Sequence, residues 1–182
     1  MSKTLKTIQT LSKIAKIISK IVFICCIVGA SCCLAGIITL AVIPEGMQVG
    51  GVTFRAYVEQ EASVSIGTVY ASMAVAMIMC LGEIFLAKFA ENYFKHELEA
   101  GTPFTFDGAK ELLHLGIKTI WIPIVTVVVA SITHGILSLV FENVDKFEGS
   151  NFVSITLGIT FIIGSLLCKH GAEVSVKEEN QE

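Results

Sequence analysis

Glu99-Ala-Gly-Thr-Pro-Phe-Thr-Phe-Asp107 is a charged turn standing between two long apolar runs, residues 66–88 before it and 119–141 after it. Gly101 suits the left-handed residue that closes a helix, and Thr105 or Asp107 can cap the next one. The stretch therefore predicts a helical hairpin, with Gly101, Pro103, Phe104 and Thr105 as its turn residues. The helical pattern before the turn continues through residues 89–100, so the first arm is about 35 residues, or roughly 50 Å, long. A hydrocarbon core is about 30 Å thick, and both arms are expected to extend past it into the cytoplasm as a hairpin over residues 89–118.

Working outward, the whole chain of 182 residues is 53% hydrophobic and 16% charged, with a mean hydropathy of +0.74. Soluble domains carry far more charge, so lipid is the expected solvent. The net charge of −3 is spread over connections rather than gathered into the basic block that nucleic acid would require, so no direct nucleic-acid binding is expected. Residues 21–43 carry no charge and are stopped by Pro44, which makes them span 1. An apolar run of this length without a following A-x-A site reads as an uncleaved span rather than a signal peptide. Residues 152–168 form span 4, the shortest, followed by Lys169-His170 and a polar acidic tail over 169–182. The expected fold class is all-α, a polytopic membrane protein with four transmembrane helices in a bundle, helices 2 and 3 extended into the cytoplasm.

Residues 1–20 carry Lys3, Lys6, Lys13, Lys16 and Lys20 and no carboxylate. Lys6, Lys13 and Lys20 share one helical face while Ile8, Leu11, Ile14, Ala15 and Ile18 share the opposite one. The pattern predicts an amphipathic cytoplasmic lead-in of the kind that lies in a membrane interface. Residues 44–65 and 142–151 form the outer connections. The first has Gly46, Gly50 and Gly51 as breakers, and its alternating Val52, Phe54, Ala56, Val58 predicts a short strand. Eleven of the Lys and Arg residues fall on the side of the termini and the hairpin, against Arg55 and Lys146 on the other. The positive-inside rule then puts both termini and the hairpin in the cytoplasm.

Candidate chemistry is sparse. Cys25, Cys26, Cys32 and Cys33 lie in span 1 without a nearby His or carboxylate, and Cys80 and Cys168 lie in other spans, so packing thiols are expected rather than a metal site or disulfide framework. Met73, Met77 and Met79 read likewise as packing residues. Pro123 removes one hydrogen bond from helix 3 and predicts a bend. Two ionisable groups sit inside spans, Glu83 and His134, and intramembrane polar residues are functional candidates by default. They differ in depth by roughly 15 Å, too far for direct proton exchange. Glu83 is expected to meet Lys88 or Lys118, and His134 a Ser or Thr of a neighbouring helix. The small-residue pairs Gly67 and Ala71, Ser131 and Gly135, and Ser154 and Gly158 predict close helix packing or a homo-oligomer. No catalytic, cofactor-binding or metal-ligating constellation is expected.

Two runs, Phe94-Lys-His-Glu-Leu-Glu-Ala-Gly101-Thr-Pro103-Phe104-Thr105 and Ala109-Lys-Glu-Leu-Leu-His-Leu-Gly116, together resemble the linker between helices 2 and 3 of the YoaS-like proteins. That family comprises bacterial four-helix membrane proteins classed as a domain of unknown function. The tail, His170-Gly-Ala-Glu-Val-Ser-Val-Lys-Glu-Glu-Asn180, is similar to that family's ending, though more acidic and shorter. The resemblance implies an inner-membrane protein accompanied in some cases by a small helix-turn-helix regulator, with no catalytic residues. The function expected is a non-enzymatic regulatory or interaction protein whose partners are the lipid bilayer and a soluble protein. The alternative is a small oligomeric transporter or channel subunit, with Glu83 and His134 lining a path.

Overall fold

The computed structural model describes residues 3–42, 48–49, 52–53, 56, 64–141, 143–145 and 152–179. Four helices account for most of them: α1 (Lys3–Val42), α2 (Ile66–Ala100), α3 (Phe106–Val140) and α4 (Phe152–Glu179). A minimal antiparallel hairpin, β1 (Gln48–Val49) with β2 (Val52–Thr53), follows α1; of the expected strand's alternating residues Val52 lies in β2 and Ala56 is helical. The protein is all-α, and each of its four helices is long and apolar enough to cross a membrane. Arg55 and Lys146, and with them the outer half of the charge count, lie outside the described residues, as do Phe54, Val58 and Pro44.

Which side chains are covered identifies the solvent. The buried residues are mostly small, among them Ala71, Ala87, Ala109, Ala130, Ala172, Ser12, Thr119 and Ser165. The large aliphatic side chains point outward, with Ile17, Ile18, Ile24, Val28, Ile132 and Leu166 each about half exposed or more. Water would favour the reverse, because burying a Leu or Ile is worth about 1.5–3 kcal/mol and burying an Ala much less. In hydrocarbon the outward apolar face costs nothing, and small residues let helix backbones approach. This is a multi-pass membrane protein.

The chain divides into two compact units. One comprises Met1–Ile24, Glu83–Ile124 and Asn151–Glu182, and here all four helices contribute. Its core is Tyr93, Leu112 and Leu115, with Leu86, Ala90, Phe94, Phe161 and Cys168 against them. The crossing of α3 and α4 is set by glycine on both sides. A Cβ on Gly116 would lie 3.0 Å from the Gly158 carbonyl oxygen, and one on Gly158 would lie 2.9 Å from the Gly116 carbonyl oxygen and against Ile120. Further along, Gly164 meets Leu112, and Gly171 meets Phe104 of the turn.

These contacts set the level of α4 against α3: residues 152–168 lie alongside the part of α3 around Gly116, which belongs to the expected hairpin. Helix α1 runs unbroken from Lys3 to Val42, so the expected lead-in and the first span are one helix. The acidic tail is likewise helical to Glu179. Helix α3 continues through Pro123, which is buried.

The other unit comprises Cys25–Gly82 and Val125–Ser150. Gly29 lies against Cys80 and Gly36 against Met73, while Gly82 receives Thr126 of α3. Cys80 and Met73 thus act as packing residues in this unit, and none of the six cysteines of the chain is in a disulfide. Ser65 caps α2 by accepting the Thr68 N–H at 3.1 Å, and its own hydroxyl donates to the Asn143 carbonyl at 2.6 Å. Tyr70 stacks on Phe141, centroids 5.3 Å apart, and Gly67 packs under the same ring. The Gly67 and Ala71 pair is therefore used within the chain. A Cβ on Gly135 would meet nothing within 4 Å.

The glycine crossing yields a direct expectation. Gly116→Ala and Gly158→Ala each place a methyl group against a backbone oxygen that cannot rotate away, and each should lower stability by about 1–3 kcal/mol. Gly135→Ala, on an open face, should be neutral or stabilise by up to about 1 kcal/mol. Unfolding of the purified protein in mixed micelles checks the ranking.

Candidate functional site

The turn is built as its residue types dictate. Gly101 has φ +76°, a conformation other residues rarely adopt, and its N–H donates to the Glu97 carbonyl at 3.1 Å to close α2. Pro103 is buried in the turn. Thr102 Oγ1 accepts the Phe104 N–H at 3.2 Å, and Thr105 Oγ1 accepts the Gly108 N–H at 3.0 Å, which makes Thr105 the cap of α3. Asp107 is instead the first-turn carboxylate, favourable against the helix dipole.

The start of α1 is fastened to this hairpin. Gln9 Nε2 donates to the Gly101 carbonyl at 2.9 Å, and the Ser12 hydroxyl donates to Glu97 Oε1 at 2.8 Å. The Ser12 proton is shared with the Ile8 carbonyl at 3.0 Å. Ser12 and Tyr93 are both buried. The Tyr93 hydroxyl also hydrogen-bonds the Glu97 carboxyl group. Burial raises the Glu97 pKa above the ordinary carboxylate range, and the hydrogen bonds from Ser12 and Tyr93 only partly oppose it. Burial likewise raises Tyr93, with Glu97 beside it adding to the shift. So the amino-terminal segment, expected to lie along a lipid surface, is a strut of the hairpin.

On the α2–α3 side a groove of about 340 Å³ runs between the two arms. Its floor is Phe89, Tyr93 and Leu115, and Asn92, His96, Glu111, His114 and Lys118 supply its polar groups. His96 Nδ1 lies 2.9 Å from Glu111 Oε1, and the Lys118 ammonium stands 3.2 Å from the Phe89 ring centre. In an antiparallel hairpin, residues equidistant from the turn fall at one level, which brings His96 to Glu111 and Phe89 to Lys118. That register was the signal available in the sequence for this group. The groove can accept and donate hydrogen bonds and carries charge of both signs. Among the described residues no group of three or more His, Cys, Asp or Glu side chains is arranged to hold a metal ion.

The two intramembrane candidates have different surroundings. Glu83 is exposed and makes no hydrogen bond or ion pair among the described residues, because its expected partners are engaged elsewhere. Lys88 pairs with Glu91 at 2.9 Å and stands 5.4 Å from the Phe23 ring centre, and Lys118 covers Phe89. The hydrogen bond from Lys88 holds the Glu91 carboxyl below its usual range, with Lys20 and Lys16 adding to the effect. His134 is half-buried, and its Nε2–H donates to the Asp145 carbonyl at 2.8 Å. Comparison with protein families, curated proteins and solved structures gives no match to this chain.

The Glu97 lock gives the hairpin a pH dependence of known sign. A carboxyl whose pKa is higher folded than unfolded leaves stability complete below about pH 4.3, and stability declines as pH rises through the raised folded value. Glu97→Gln keeps an acceptor for Ser12 and should abolish that decline, whereas Ser12→Ala should cost about 1 kcal/mol. Thermal unfolding in micelles across this range, with hydrogen exchange at Gly101, reads both effects.

Proposed function

We propose that this protein is a non-enzymatic regulatory or interaction protein of a bacterial cytoplasmic membrane, and that its hairpin-side unit presents the α2–α3 groove to a soluble partner. The observation that carries the reading is the groove itself: polar groups of both signs held on a folded, fastened platform beside otherwise apolar helices. Hot spots of interfaces favour aromatic and cationic groups over a rigid floor, and Phe89, Tyr93 and Lys118 fit that chemistry. The lysine distribution supports a cytoplasmic hairpin with both termini on the same side. The likeness of the 94–116 region to the YoaS-like linker supports a small helix-turn-helix regulator as the class of partner.

Two measurements test this. Single-cysteine labelling should reach position 102 from the cytoplasm and position 55 from outside, and the opposite pattern overturns the orientation. A photo-crosslinker at His96 or His114 in native membranes should capture one soluble protein, and Glu111→Lys should reduce that capture at least tenfold while the chain stays folded. Capture unchanged by Glu111→Lys overturns the docking role. In the same cells Glu83→Gln and His134→Ala should leave ion and solute flux unaltered, in contrast to a transport subunit that used them.

A further inference from the structure

A second groove, of about 280 Å³, lies between α3 and α4 in the hairpin-side unit. Lys110 and Lys169 line it together with Phe106, Leu113, Ser165 and Leu166. Both lysines are exposed, and neither makes a hydrogen bond or ion pair among the described residues. Among the described residues no carboxylate lines the groove. The Ser165 hydroxyl donates to the Ile162 carbonyl at 2.7 Å, which leaves the two ammonium groups as the donors. A volume at the low end of small-ligand sites has room for a headgroup and none for a macromolecule.

The apolar half of the lining decides what kind of anion fits. Phe106 and Leu166 are 50% and 61% exposed, and on α4 the outward apolar side chains of Ile159, Ile163, Leu166 and Leu167 lead up to Lys169, with Val174 and Val176 exposed beyond it. That change from apolar to cationic surface, after an apolar run near the length of a span, is where a bilayer's phosphates lie. We infer that this groove binds an anionic phospholipid, its phosphate between Lys110 and Lys169 and the start of an acyl chain against Leu166 and Phe106. Basic pockets between transmembrane helices bind such headgroups, and each lysine near an anionic surface contributes about fivefold in affinity. A free phosphate ion would use the lysines and leave the apolar lining idle.

Native mass spectrometry of the full chain, released from micelles holding phosphatidylglycerol or phosphatidylcholine, tests the site. The wild-type chain should retain one phosphatidylglycerol in preference to phosphatidylcholine, and Lys110→Gln with Lys169→Gln should weaken retention about 30-fold. The pair Lys110→Arg with Lys169→Arg should stay within about threefold of wild type. A control of equal charge loss, Lys13→Gln with Lys95→Gln, should change it less than about twofold, since those lysines lie outside the groove. Inorganic phosphate in millimolar excess should not displace the lipid. Unchanged retention in the Gln pair, an equal loss in the control, or displacement by phosphate each overturns the proposal, and circular dichroism of each variant establishes that it is folded.

Discussion

The constraint on which this structure depends is that hydrocarbon offers its backbone no hydrogen bonds. Each peptide group inside a bilayer has to be satisfied within the segment, and a long helix does that without help from a neighbour. Once the helices exist, no hydrophobic force pushes their apolar faces together, because lipid is as apolar as leucine. What remains is close approach, and close approach selects small residues. Hence Gly116 meets Gly158, Gly82 receives Thr126, Gly36 meets Met73, and small residues fill most of the buried positions. The large aliphatic side chains are left facing out, where a water-soluble protein would not leave them.

The hairpin-side unit adds a second kind of glue. Its Tyr93, Leu112 and Leu115 core is small, and polar contacts supplement it: Gln9 to Gly101, Ser12 to Glu97, and Tyr93 to Glu97. A half-buried carboxyl group without a cationic partner costs free energy when ionised. Two hydroxyl donors offset part of that cost and at the same time fix where α1 sits on α2. The polar bonds therefore position the amino-terminal strut as much as they stabilise it.

Four helices were legible in the sequence because charge-free length is a strong signal, and so was the turn, because Gly101 and Thr105 act through local backbone geometry. The position of α4 was not. It follows from a glycine-to-glycine crossing between segments more than forty residues apart, and nothing in the composition of residues 152–168 records which part of α3 they touch. Glu97 was missed for a related reason. Within Lys95-His-Glu-Leu-Glu99 it reads as one more solvated charge, and its partner Ser12 is 85 residues away. Glu83 and His134 attracted notice because intramembrane ionisable groups are rare, yet His134 is satisfied by a carbonyl and Glu83 contacts no charged group among the described residues.

The hairpin-side unit has two chemically different surfaces, and the helix register explains why. Helix α4 contributes Ile155, Ile159, Ile163, Leu166 and Leu167 outward, while α2 and α3 turn Asn92, His96, His114 and Lys118 outward on their shared groove. Because α4 is packed on this unit through Gly116 and Gly158, its apolar face is held at the same level as those polar groups rather than away from them. A unit made this way satisfies an apolar face and a polar groove at one level only where apolar and polar surroundings meet. Lys110 and Lys169 stand where α4 gives way to α3 at the edge of the apolar face, and cations at such an edge pin the depth at which the boundary can sit. The same crossing that fixes α4 therefore also fixes how far its apolar face overlaps the polar groove between α2 and α3.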